Sequence, residues 1–198
     1  GTIYGRRLRL GGSVETDYTH NWHRICPPAK YGKDHPEYFA MVGGNRKTAA
    51  TGKNHAGQVC TSNPEVIEIF AQAAIAHFSK GSKDEVFALS PNDGKGFCEC
   101  NPCRAQDPPM TMNTPVLSDR IMTFYNAIAE KVAKVHPNAK LGAFVYAKYQ
   151  YAPTRVKTVH PCLILTHATN SAHAQGMSWK RESEDEKAWL SMCKTVFK

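Results

Sequence analysis

Residues 85–94 have the sequence Glu-Val-Phe-Ala-Leu-Ser-Pro-Asn-Asp-Gly, and this stretch decides the fold class. Its first part, 85–90, is a short apolar run between polar residues, which predicts a buried β-strand. The run ends in a polar turn that carries the carboxylate of Asp93. Active sites of α/β proteins lie beyond the carboxyl ends of their parallel strands. Asp93 is therefore the first candidate for a catalytic residue, although Asn-Asp-Gly is also an ordinary turn sequence.

Two further near-continuous apolar runs, at 141–147 and 162–166, are typical of parallel strands that are covered on both faces. A shorter strand is predicted over 6–10. A long polar and aromatic segment follows it, and the pair Gly43-Gly44 predicts a hairpin or turn.

Three amphipathic helices are predicted between and after these strands. The first begins at the N-cap Asn63, has Pro64 at its first position and ends near Lys80, before Gly81. The second begins at 118–119 and ends before 136–137, and the third covers 183–197 with 189, 190, 193 and 196 on its buried face. The alternation of strands and helices predicts an α/β fold.

The chain is short for the closed barrel that this alternation suggests. A (β/α)8 TIM barrel typically needs about 250 residues and eight strands, whereas these 198 residues contain four predicted strands. We therefore expect residues 1–198 to be a segment of a partial (β/α)8 barrel with parallel strands and long βα loops. The remaining barrel strands would come from the parent chain.

Composition narrows the classes of partner. With 41% hydrophobic and 21% charged residues, the chain is typical of a soluble globular protein. No apolar run approaches the length of a membrane span, and the first residues lack the apolar core of a signal peptide. The net charge of +8 comes from basic residues scattered among acidic ones, so no nucleic-acid partner is expected. The first interpretation of this charge is a solvated surface, and the second is an acidic sugar or polysaccharide substrate.

Seven cysteines are many for a cytosolic enzyme, and three of them form the pattern Cys98-x-Cys100-x-x-Cys103. With a fourth ligand, such as Cys60 or a histidine, they could bind zinc or an iron-sulfur cluster. They could equally form a disulfide in an oxidising compartment. Spacing leaves both open, with a disulfide preferred. The expected role is structural, fixing the loop after Asp93, and no other cofactor is expected.

Polar and aromatic side chains follow each predicted strand and should meet at the carboxyl edge of the sheet. Such a set suits carbohydrate, because sugars stack on aromatic rings and bond to short polar groups. The predicted substrate-binding residues are His20, Trp22, Asn92, Tyr146, Tyr149 and His167. Each also has a structural interpretation: the histidines as loop residues, Tyr146 as core, and Trp22 as an anchor for its own loop.

Glycoside hydrolysis usually requires two carboxylates. Asp93 supplies one as acid or base. For the second, Glu99 could turn inward from the cysteine loop, Glu15 and Asp17 lie after the first strand, and a residue beyond this chain is a further alternative. Substrate-assisted chemistry would need fewer enzyme carboxylates.

Several blocks occur in an order that resembles a known family. They are His20-Asn21-Trp22, residues 27–31, 35–40, 58–66 and 90–94, and the cysteine pattern. The chain resembles a bacterial domain-of-unknown-function family (4838) that is grouped with TIM-barrel glycoside hydrolases and is similar to α-glucuronidases. The resemblance covers most of 6–167. It implies a (β/α)8 barrel and a role in polysaccharide degradation by secreted or periplasmic proteins, whose members are longer than this chain.

The sequence thus predicts a glycoside-hydrolase-like protein with a carbohydrate substrate. One alternative is a non-catalytic carbohydrate-binding or scaffold barrel. A second is a metal or redox module built on Cys98, Cys100 and Cys103.

Overall fold

The computed structural model describes residues 20–48, 57–81, 86–109, 116–145, 147–167 and 179–193. The strand predicted over 6–10 lies outside these residues. In chain order the elements are α1 (Trp22–Ile25), α2 (Pro28–Tyr31), a 3-10 helix (Pro36–Tyr38), β1 (Met41–Val42), β2 (Asn45–Arg46), α3 (Pro64–Ser79), β3 (Val86–Ala88), α4 (Asn101–Arg104), α5 (Ser118–Val135), β4 (Lys140–Val145), a second 3-10 helix (Ala147–Tyr149), β5 (Leu163–His167) and α6 (Trp179–Met192).

The centre of the fold is a three-stranded parallel sheet in the order β3-β4-β5. Phe87 pairs with Leu141, and Gly142 pairs with Ile164. All of β3 and most of β4 are buried, as their continuous apolar runs predict. The three strand predictions that fall on described residues are confirmed with slightly different bounds. Within the described ranges the sheet is open, and closure into a barrel is not seen.

Helices α3 and α5 are confirmed, and they pack against each other. The side chain of Asn63 accepts hydrogen bonds from the backbone N–H groups of Glu65 and Val66, so it caps α3 as predicted. Helix α6 begins earlier than predicted, at Trp179. Trp189 is buried there, but Leu190 is 47% exposed, so its predicted burial is wrong. The two are adjacent in a helix, and the turn that buries the indole points Leu190 away from the core.

Three aromatic rings hold the helices to the sheet edge. Trp22 of α1, Phe70 of α3 and Phe124 of α5 are fully buried, with ring centroids 5.2–5.9 Å apart in edge-to-face contacts. The indole N–H of Trp22 donates to the carbonyl oxygen of Leu89, 2.6 Å away. The segment after β3 is therefore anchored directly to the core.

The amino end of α5 lies at the carboxyl end of β4, because the backbone N–H of Leu117 donates to the carbonyl oxygen of Lys148. Leu117, just before α5, consequently lies at the edge where catalytic groups were predicted. No helix within the described ranges combines the length and the apolar character needed to cross a membrane.

Candidate functional site

The turn after β3 is built on a buried amide. Asn92 is 3% exposed, and its Oδ1 accepts hydrogen bonds from the backbone N–H and the ring Nδ1 of His23, both at 2.9 Å. Its Nδ2 donates to the carbonyl oxygen of Gly57, and its own carbonyl accepts from the side chain of Gln58. Asn92 was predicted to bind substrate; in this structure its amide instead fixes the turn that presents the next residue.

Asp93 projects from this turn, with its side chain 61% exposed. Its Oδ1 lies 4.0 Å from Nε2 of His20, which arrives from the other side of β3 through a parallel bridge with Ser90. Gly94 follows with φ of +113°, a conformation that side chains disfavour. The predicted carboxylate and the predicted imidazole are therefore neighbours at the carboxyl edge of the sheet.

The orientation of His20 is set by two contacts. Its Nδ1 lies 2.5 Å from the carbonyl oxygen of Pro91, and its ring rests 5.6 Å from the ring of Phe144. A carbonyl accepts only, so Nδ1 carries a proton and Nε2 faces Asp93. A carboxylate beside such an imidazole can bind a hydroxyl group or exchange a proton with it.

Two aromatic residues predicted to bind sugar belong to the core. Trp22 is fully buried, and Tyr149 is 2% exposed with its ring 5.8 Å from that of Phe97. Neither ring offers a face to solvent in this structure. His167 is the last residue of β5 and pairs with Val145 in register, and Tyr146 lies outside the described residues.

Glu99, the candidate for the second carboxylate, is engaged by groups on the surface. Its Oε2 accepts a hydrogen bond from the backbone N–H of Gly43 at 2.8 Å, and its Oε1 lies 3.7 Å from the guanidinium of Arg104. These contacts join the cysteine loop to the β1–β2 hairpin, whose turn residues Gly43 and Gly44 have φ of +58° and +79°. The predicted hairpin is thus confirmed. The other two carboxylate candidates, Glu15 and Asp17, lie outside the described residues.

Four cysteine side chains meet in a second buried site, which we call the cysteine tetrad. Its members are Cys60, Cys98, Cys100 and Cys103. All are at most 6% exposed, and their four sulfurs lie within 4.8 Å of one another. The Sγ of Cys60 is 3.7 Å from that of Cys100 and 3.8 Å from that of Cys103. A disulfide requires about 2.05 Å, and all seven cysteines are free thiols, so the preference for a disulfide was wrong.

Short backbone pairings bring the tetrad together. The N–H of Cys60 donates to the carbonyl of Tyr38, next to the antiparallel bridge between Phe39 and Val59. The N–H of Glu99 donates to the carbonyl of Met41 at 2.7 Å. These bonds hold two segments that are distant in the sequence against residues 38–41. The first segment contributes Cys60 to the tetrad, and the second contributes the other three cysteines.

Polar groups surround the sulfur atoms of the tetrad, and two of them are N–H donors to Cys98. The backbone N–H of Met41 donates to Sγ of Cys98 at 3.3 Å, and Nη1 of Arg46 lies 3.8 Å from the same sulfur. The Sγ of Cys103 donates to the hydroxyl oxygen of Ser62 at 3.2 Å, and the hydroxyl oxygen of Thr61 lies 3.5 Å from the same sulfur. This environment favours negative charge on sulfur.

The pKa values of two tetrad thiols are shifted in opposite directions. Hydrogen bonds from Cys60 and Cys98 hold the pKa of Cys103 far below its ordinary value. Hydrogen bonding to Cys103 raises the pKa of Cys98. Outside the tetrad, burial raises the pKa of Cys26 to about 12. The opposite directions within the tetrad come from hydrogen bonds among closely packed thiols, and a bound metal ion would favour the charged form of all four.

Sequence reasoning missed two buried charged residues at the start of α5, Arg120, which supports the tetrad, and Asp119, which holds a different loop. Arg120 on α5 is buried and donates to the carbonyl of Cys98 and to both carboxylate oxygens of Asp107. Asp119 accepts backbone hydrogen bonds from 154–156. Two adjacent charges at the start of a helix are usually solvated, so only their position beside the helix cap could have drawn attention to them.

Comparison with known proteins identifies a family. A family model described as "Domain of unknown function (DUF4838)" matches residues 4–197. No curated protein and no solved structure gives a significant match to the chain.

Proposed function

This chain belongs to the family described as a domain of unknown function (DUF4838), and from its site we propose that it is a glycoside-hydrolase-like protein acting on a polysaccharide or oligosaccharide. Asp93 serves as acid or base, and His20 orients it. The observation that carries the proposal is the exposed Asp93 carboxylate, 4.0 Å from Nε2 of His20 at the carboxyl edge of a parallel sheet.

The strand order supports a (β/α)8 barrel in the complete protein. Strands β3, β4 and β5 are parallel neighbours in the same order as in the chain, and the bridge of His20 to Ser90 continues this order on the other side of β3. A barrel has consecutive strand order throughout, whereas open doubly wound sheets reverse it. Catalytic residues of barrels lie at the edge where Asp93 and His20 meet.

The same proposal implies a glycan substrate. It also implies a secreted or periplasmic location, where the protein would encounter polysaccharides. The net charge of +8 favours acidic sugars, and so does the resemblance to α-glucuronidases. Glucuronoxylan is therefore the first polysaccharide to test.

Replacing Asp93 by asparagine is expected to lower the release of reducing ends from glucuronoxylan by the complete protein about 10²–10⁴-fold, the usual contribution of general acid–base catalysis. The side chain is exposed, so the midpoint of thermal unfolding should stay unchanged. The control is Glu130→Gln, which removes an equally exposed carboxylate on α5 and should retain full activity. Equal turnover by Asp93→Asn and wild type would remove Asp93 from the mechanism.

One observation favours the non-catalytic alternative, a carbohydrate-binding barrel. The Glu99 carboxylate is bound to Gly43 and lies beside Arg104 rather than being held for catalysis. If the complete protein binds glucuronoxylan in calorimetry, and neither wild type nor Asp93→Asn releases reducing ends, binding is the function and hydrolysis is not.

A further inference from the structure

We propose that the cysteine tetrad is a structural zinc site, in which Cys60, Cys98, Cys100 and Cys103 bind one Zn²⁺ ion with tetrahedral geometry. The site is separate from the Asp93 turn and does not rest on the proposed function.

The spacing of the sulfur atoms matches a zinc tetrathiolate. Zn–S bonds of about 2.3 Å place tetrahedral sulfurs about 3.8 Å apart. The Sγ of Cys60 lies 3.7 and 3.8 Å from those of Cys100 and Cys103, and all four sulfurs fall within 4.8 Å. An iron-sulfur cluster holds several irons and bridging sulfides between its cysteines. Sulfurs this close leave room for a single ion.

The chemistry of the donors excludes hard cations and is satisfied by zinc. Four thiolates are soft ligands, and a tetrahedral S4 set is characteristic of zinc or iron rather than of magnesium or calcium. All four coordinating positions are filled by protein, and the four residues are buried. Catalytic zinc sites keep one position open for water, whereas structural sites are closed. The tetrad is therefore structural.

Neighbouring groups compensate the charge of the complex. Four thiolates and one Zn²⁺ carry a net charge of −2. The guanidinium of Arg46 lies 3.8 Å from Sγ of Cys98 and is itself fixed by the carbonyl of Phe39 at 2.8 Å. The backbone N–H of Met41 donates to the same sulfur. Hydrogen bonds to metal-bound thiolates are the usual support of such sites.

Zinc would cross-link the segment that contains Cys60 to the loop that contains the other three cysteines. Cys60 lies two residues after Gln58 in the segment that holds Asn92 through two hydrogen bonds, from the side chain of Gln58 and to the carbonyl of Gly57. The other three cysteines belong to the loop after Asp93. A bound ion would cross-link these two segments at the back of the turn.

The test measures metal in the full chain, purified without added metal or chelator. We expect elemental analysis to give one zinc per chain, and X-ray absorption to show four sulfur neighbours at about 2.3 Å. A mercurial reagent that titrates thiols should release the zinc as the tetrad reacts. None of these measurements depends on hydrolytic activity.

Variants assign the zinc to the tetrad. Cys98→Ser and Cys103→Ser should each lose most of the bound zinc, while Cys26→Ala should retain it, because Cys26 is equally buried but lies in the main core. Since a tetrad variant could fail to fold, X-ray absorption of wild type provides an independent test. A metal-free chain with intact thiols, a disulfide within the tetrad, a single bound iron, or zinc retained in both serine variants would each overturn the proposal.

Discussion

Replacing Arg120 by methionine is expected to lower the free energy of unfolding by about 3–5 kcal/mol, the usual cost of breaking a buried ion pair from one side. Arg120 is 3% exposed and Asp107 is 14% exposed, so the remaining carboxylate would stay partly buried without its cation. The carbonyl oxygen of Cys98 would lose its donor as well. For a chain of this size the loss corresponds to a fall of about 6–20 °C in the midpoint of thermal unfolding.

Urea unfolding followed by tryptophan fluorescence would measure this effect, with zinc supplied in excess. The matched control is Arg104→Met, which removes a guanidinium that is 63% exposed and 3.7 Å from Glu99. Exposed pairs contribute about 0–1 kcal/mol. If Arg120→Met lowers the free energy of unfolding no more than Arg104→Met does, Arg120 does not stabilise the cysteine loop.

A double substitution tests the physical cause. Adding Asp107→Leu to Arg120→Met should recover part of the lost stability, because replacing a buried pair by apolar groups is often neutral or stabilising. Recovery would identify the unpaired carboxylate of Asp107 as the source of the loss. The absence of recovery would assign the loss to the hydrogen bond with the carbonyl of Cys98.

The elements of the fold could be predicted because local patterns determine them. Asn63 followed by Pro64 specifies a helix start through capping geometry alone, and the run at 141–147 is apolar enough to require burial. The start of helix α6 was misplaced because two serines could begin it: the prediction used Ser183, whereas Ser178 is the residue before the observed start at Trp179. The predicted closure into a barrel is not seen within the described ranges, where the sheet has three strands.

The candidate sites could likewise be predicted only in part. The order of strand and turn placed Asp93 and His20 at one edge, and the structure brings them together. Sequence could not separate Asn92 from Asp93, because both suit a turn, and only the contacts with His23 and Gln58 show that Asn92 is structural. Cys60 was one of two kinds of residue considered as the fourth ligand, and its distance from the other cysteines in the sequence meant that spacing could not choose it over a histidine; the structure places it with the other three.

Trp22 was predicted to stack on a sugar, and its burial gives a different expectation. Trp22→Ala should lower the free energy of unfolding by about 3–5 kcal/mol, as for other large aromatic residues removed from a core. Its ring contacts Phe70 and Phe124 and is fully buried. The control is Val135→Ala, since Val135 is 55% exposed and should change stability by less than about 0.5 kcal/mol.

Urea unfolding and calorimetry with glucuronoxylan distinguish the two roles of Trp22. A structural role predicts a large loss of stability in Trp22→Ala. A ligand role predicts weaker glycan binding at unchanged stability, and that result would contradict the packing described above. The experiment is informative even if the protein proves not to be a hydrolase, because binding and unfolding are measured separately.

Trp22→Phe separates packing from hydrogen bonding at the same position. Phenylalanine keeps an aromatic ring against Phe70 but removes the indole N–H that donates to Leu89. The loss should be about 1–3 kcal/mol for the unmade bond, and smaller than for Trp22→Ala. Because Leu89 leads directly into the turn, this variant should also alter the contact between His20 and Asp93, visible as a changed chemical shift of the His20 ring. An unchanged ring signal would mean that the turn is held by Asn92 alone.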